Sequence, residues 1–143
     1  MSNKNRPCLR AAVVGGLMVT IAAVAVAAPP VLGVADLRAD PMAYDGHVVT
    51  LVGYFSMEHE NDNVWASETA AFSDDRQSCV TLRNVPRNPR LKARLNGGWG
   101  TITGLFTAKG PLVNGKRVFV LGGCSDSVIE FRNDSDLQPI GRE

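Results

Sequence analysis

The stretch His47–Met57, HVVTLVGYFSM, constrains the fold more than any other part of the chain. Its β-branched and aromatic residues favour a strand, and eleven residues is long for a strand in a small protein. Gly53 sits near its middle, where the missing side chain permits a bend or bulge. A long strand that bends suits a sheet curling onto itself. Tyr44-Asp45-Gly46 is a turn signal leading directly into it.

Further short strands follow, with turn residues between them. Glu58–Asn63 reads as a polar loop and Val64–Ser67 as a second strand. Cys79–Arg83 alternates as a third, with Val80 and Leu82 inward and Thr81 and Arg83 outward. Asn88–Gly98 is the clearest helix: Asn88 caps, Pro89 takes the first position and Gly97 terminates. Leu91 and Leu95 share one face, and Arg90, Lys92 and Arg94 point to solvent. Trp99–Thr107 is a fourth strand, with Gly100, Ile102, Gly104 and Phe106 on one side. Arg117–Leu121 continues as β, and Ser127–Arg132 is the last strand. Upstream, Val34–Tyr44 reads as a helical turn or two broken at Pro41, with Leu37 and Met42 offered to the core.

Three strands, a helix and two strands is the order of an OB-fold barrel. The expectation is therefore an all-β protein with one short helix, a small five-stranded OB-fold-like barrel, with a small β-sandwich as the alternative. In such a barrel the third and fifth strands close in parallel, so their starts lie side by side. Cys79 begins the third strand and Cys124 precedes the fifth, which predicts a Cys79–Cys124 disulfide. The alternative is two buried free thiols.

The chain opens with Lys4, Arg6 and Arg10, then an apolar run from Ala11 to Ala28 ending in the small-x-small site Ala25-Val26-Ala27. That is the layout of a secretory signal. Residues 1–27 are read as a signal peptide, 28–35 as a flexible mature N-terminus, 36–133 as the barrel and 134–143 as a flexible tail. A retained membrane anchor is the alternative, since the run just reaches spanning length. Cys8 precedes the apolar run and so cannot be a lipoprotein cysteine. Cleavage removes three of the fifteen basic residues and none of the fourteen acidic ones, turning a formal charge of +1 into −2. A periplasmic or secreted protein follows, one that is not a general polyanion binder and has no transmembrane segment after processing.

The segment Asp36-Leu37, Asp40-Pro41, Tyr44-Asp45-Gly46-His47-Val48-Val49 and Val52-Gly53-Tyr54 resembles the opening of a family of small uncharacterised exported bacterial proteins. Their pattern is of the type L-x-x-x-P-x-x-Y-D-G-K-x-V-x-V-x-G-Y. The resemblance extends through Glu58–Ser67 and Leu95-Asn96-Gly97 to the strand Gly100–Phe106. It implies an OB-like barrel and no established activity. His47 stands where a lysine is common, and the basic helix and the cysteine pair are departures of this chain.

Chemistry-bearing patterns are sparse. Glu58-His59-Glu60 with Asp62 has no metal-ligand spacing, and His47 lies twelve residues from His59 across an extended strand. Ser56, Ser67, Ser73 and Ser78 lack a nucleophile-elbow context. Asp74, Asp75 and Arg76 are the residues an exported OB-type nuclease or hydrolase would draw on, and they read more simply as a solvated turn. Arg83, Arg87, Arg90, Lys92 and Arg94, with Trp65 and Trp99 as stacking rings, are what a nucleic-acid-binding OB domain would use. The acidic mature charge and export disfavour nucleic acid. The expectation is a non-enzymatic binding or interaction module without a cofactor, partnered by an unknown protein or an anionic envelope component. On the face OB barrels commonly use, Trp65, Arg83 and Lys116 are the candidate contacts.

Overall fold

The computed structural model describes residues 27–58, 61–84, 86–110, 112–118, 123–124 and 126–141. Strand β1 (Val31–Gly33) runs into helix α1 (Val34–Ala39), and a 3₁₀ turn over Pro41–Tyr44 leads to β2 (Val48–Glu58). Then come β3 (Asn61–Trp65), α2 (Glu68–Phe72), β4 (Cys79–Leu82) and α3 (Pro89–Leu95). β5 (Gly98–Thr107) precedes a small hairpin of β6 (Leu112–Val113) and β7 (Lys116–Arg117). β8 (Val128–Glu130), a 3₁₀ turn over Asp134–Asp136 and β9 (Leu137–Pro139) complete the order.

Strands β2, β3, β4, β8 and β5 pair in that order, and β5 returns to β2. This is the expected five-stranded OB-fold-like barrel, and closure excludes the sandwich. β4 and β8 are the parallel pair, with Thr81 opposite Val128 and Leu82 opposite Ile129. The disulfide joins Cys79 to Cys124 where these two strands begin, with Cα atoms 5.3 Å apart.

Gly53 is where β2 changes partner. From Tyr54 onward β2 pairs with β3, whereas Thr50–Val52 pair with β1. A Cβ at Gly53 would lie 2.5 Å from Val64 Cγ1 and 2.7 Å from the Trp65 carbonyl oxygen. The two strands therefore approach more closely than any side chain permits. Inside the barrel, Leu51, Phe55, Val64, Val80, Ile102 and Phe106 are fully buried. Leu95 of α3 joins them and packs over Gly100, and Asn96 Oδ1 accepts the Met57 N–H at 2.8 Å. A second cluster surrounds the disulfide: Tyr54, Trp65, Ala70, Cys79 and Cys124.

Several expectations are corrected. The segments 28–35 and 134–143, read as flexible flanks, carry β1 and β9, which pair with β2 and β5 where β3 and β8 no longer reach. Three-residue strands carry too little periodicity to be read from sequence. The hairpin Glu58–Asn63 is not a solvated loop, because β3 starts at Asn61 and buries Asp62 and Asn63. Thr81 is not outward but 3% exposed. Met42 is exposed, and Tyr44 packs against the core in its place. Of the expected strand at 117–121, Arg117 belongs to β7, while 119–121 lie outside the described residues. All but the last residue of the expected signal peptide also lie outside them.

Candidate functional site

The three residues expected to form a ligand face do not come together. Trp65 is 4% exposed and packs in the cluster around the disulfide, so it offers no ring face to solvent. It pairs with Cys79 at the start of β4, whereas Arg83 follows the end of that strand. Four residues of strand separate the two ends by about 13 Å. Lys116 sits in the separate β6–β7 hairpin, a sheet of its own. Trp99, the second candidate stacking ring, is half-exposed and meets Tyr54 edge-on, with centroids 6.3 Å apart.

The basic run is also divided. Arg83 pairs with Glu130 at 2.8 Å. Lys92 does not point freely to solvent: its Nζ lies 3.3 Å from Asp62 Oδ1 on β3, an ion pair without hydrogen-bond alignment. Only Arg87, Arg90 and Arg94 of the five carry no ion pair among the described residues. The acidic turn is occupied with its own geometry. Asp74 pairs with Arg76, and Asp75 accepts from Gln77 N–H and Ser78 O–H. Among the described residues no group of three His, Cys, Asp or Glu side chains is placed to hold a metal ion. His59 and Glu60 lie outside those residues.

What the structure does bring together is a seam between two loops that the sequence reading treated separately. One is 83–88, linking β4 to α3; the other is 131–136, linking β8 to β9. Arg83 N–H donates to the Ile129 carbonyl at 3.0 Å, beside the Arg83–Glu130 pair. Asn84 Nδ2 donates to the Phe131 carbonyl at 2.6 Å. Asp134 accepts from two consecutive amides, Arg87 N–H at 3.0 Å and Asn88 N–H at 2.8 Å. Asp136 does the same within its own loop, accepting from Arg132 N–H at 3.1 Å and Asn133 N–H at 3.0 Å. A carboxylate on paired amides is a charge-assisted contact, stronger than a neutral one.

Between the laced loops lies a cleft of about 260 Å³, lined by Asn84, Arg87, Phe131, Arg132, Asn133 and Asp134. Arg87 and Arg132 are exposed and their guanidiniums have no ion-pair partner among the described residues. Asp134, the one carboxylate on the lining, is committed to the Arg87 and Asn88 amides. The cleft thus presents two planar, five-donor cations on a fixed frame, a geometry suited to carboxylate or phosphate oxygens. Sequence reading missed these residues because Arg132 reads as the end of the last strand, Asn133 as the barrel's last residue and Asp134 as the start of a polar tail. The one available signal is the cap-like spacing of Asn133 and Asp136.

No family model matches the chain, and comparisons with curated proteins and with solved structures find no similar one.

Proposed function

We propose that this protein is an exported binding module, without catalytic chemistry of its own, that holds an anionic group between Arg87 and Arg132. The observation that carries this reading is the pair of guanidiniums, without ion-pair partners among the described residues, on one 260 Å³ cleft. Five ties across the seam hold that frame before any ligand arrives, which lowers the ordering cost of binding. The formal charge of −2 after removal of residues 1–27 makes the attraction local to the cleft rather than a property of the whole surface. Export is supported by the buried Cys79–Cys124 disulfide, a bond that persists in oxidising compartments. It is supported further by the basic and apolar layout of residues 1–27. Among the described residues no helix is long and apolar enough to cross a membrane.

Titration with inorganic phosphate and with citrate, followed by amide chemical shifts, tests the site. Arg87, Arg132 and Asn133 should shift first, and added salt should weaken binding. Arg87→Ala and Arg132→Ala should each reduce affinity at least fivefold. Unchanged binding by the double variant removes the cleft as the site.

A further inference from the structure

Arg132 lines a second hollow besides the cleft. This groove, of about 220 Å³, is walled by Val48, Thr103, Leu105, Glu130 and Asp136. Val48 and Leu105 face each other across the β2–β5 ladder at outward positions and remain 50% and 42% exposed. They are the apolar part of this wall, and strand alternation alone would place polar residues there. The two acids on the groove are occupied: Glu130 by Arg83, and Asp136 by the Arg132 and Asn133 amides. Charge is therefore sorted between two hollows that share Arg132. The cleft holds Arg87 and Arg132, without ion-pair partners among the described residues, against one carboxylate, Asp134. The groove sets two carboxylates against Arg132 beside its apolar side chains and is the less favourable place for an anion.

We infer that the ligand is a single-chain anionic amphiphile, a carboxylate bearing a short aliphatic tail. The head lies between Arg87 and Arg132, and the tail lies over Val48 and Leu105. This rests on the anion-binding reading above and names its ligand class. Size supports it as well. Each hollow alone is below the range of small-molecule sites, roughly 300–1,000 Å³, and together they fall within it. The guanidinium fork matches a planar carboxylate, and the groove, with two carboxylates to one cation, is less favourable for the head than the cleft.

The test is a series of straight-chain carboxylates, acetate to octanoate, titrated below micellar concentrations into the exported protein. Full burial of a methylene is worth about fourfold in affinity, so a half-open groove should give about twofold per methylene. The Val48 and Leu105 methyl signals should shift with hexanoate and octanoate and not with acetate. The double variant Val48→Ser, Leu105→Ser should keep acetate binding and flatten the series. Both positions are exposed, and the wild-type methyl shifts provide the same test without a variant. Flat affinity along the series, with acetate still bound at Arg87 and Arg132, overturns the amphiphile and leaves the anion site standing. A chain-length dependence that survives in the double variant, or binding only to anionic vesicles, overturns it too. Failure of acetate, phosphate and citrate alike removes both readings.

Discussion

Asp134 Oδ2 accepts the backbone N–H of Asn88 at 2.8 Å, although 46 residues separate them. Asn88 is itself the cap of α3, its side chain accepting from Arg90 N–H at 2.9 Å and more weakly from Leu91 N–H at 3.4 Å. The C-terminal segment thus holds the residue that starts the helix, and the same contact frames the candidate cleft. Asp134→Ala should cost about 1.5–3 kcal/mol, the range for hydrogen bonds to a charged acceptor. Equilibrium urea unfolding measures it. An unchanged midpoint would show that the loops are held without this carboxylate.

The disulfide is the next test of the frame. Non-reducing peptide mapping should recover Cys79 linked to Cys124. Reduction should cost about 2–4 kcal/mol and lower the melting temperature by very roughly 10–20 °C. Both sulfurs are buried, so reduction should be slow without denaturant. Rapid alkylation of both thiols in the native protein would contradict this.

Two glycines carry strand approaches that no side chain tolerates. A Cβ at Gly104 would lie 2.5 Å from the Glu130 carbonyl oxygen, across the antiparallel β5–β8 pair of the barrel. Gly53 meets Val64 and the Trp65 backbone as closely. Gly104→Ala and Gly53→Ala should each destabilise by about 1–3 kcal/mol. Gly115, with a left-handed φ of 74° and open space around it, should cost only about 1 kcal/mol as alanine. Thermal melts of the three variants rank them, and equal losses would refute the steric account.

Charges on α3 should not be equivalent. Lys92 sits 3.3 Å from a buried Asp62 carboxylate, so Lys92→Met leaves that charge uncompensated. Lys92 is partly exposed, which tempers the cost to about 1–2 kcal/mol, below that of a fully buried pair. Arg90→Ala and Arg94→Ala should stay within about 0.5 kcal/mol of wild type. Denaturation of the three single variants decides it. Indistinguishable stabilities would mean the Lys92–Asp62 contact contributes nothing.

Processing completes the set. Mass spectrometry of the protein from an exporting host should find Ala28 as the first residue, three positions before β1 begins. An intact Met1 in the membrane fraction would favour an anchor.

The barrel was legible because its signals are local and long. The eleven-residue run of β2, the capped helix Pro89–Leu95 and the glycine-alternating β5 each announce themselves over several residues. The order of elements implied the parallel closure of β4 on β8, and the positions of Cys79 and Cys124, far apart in sequence, agreed with it. Less of the site was readable. Trp65 looked like a free stacking ring because composition cannot say which aromatic lies beneath a helix, and α2 with the disulfide buries it.

What the sequence determined by itself is the kind of chain this is: strands that must curl, one helix between the third and fourth, and a cysteine pair at the seam. Only the tertiary structure decided which side of β2 faces in. Val48 and Val49 are equally apolar, and one is half-exposed while the other is fully buried. Only it could bring Arg87 to Arg132, or aim Asp134 at the Arg87 and Asn88 amides. The reason is physical. Propensity and periodicity act over a turn or a strand, whereas a cleft is made by whichever loops barrel closure leaves side by side.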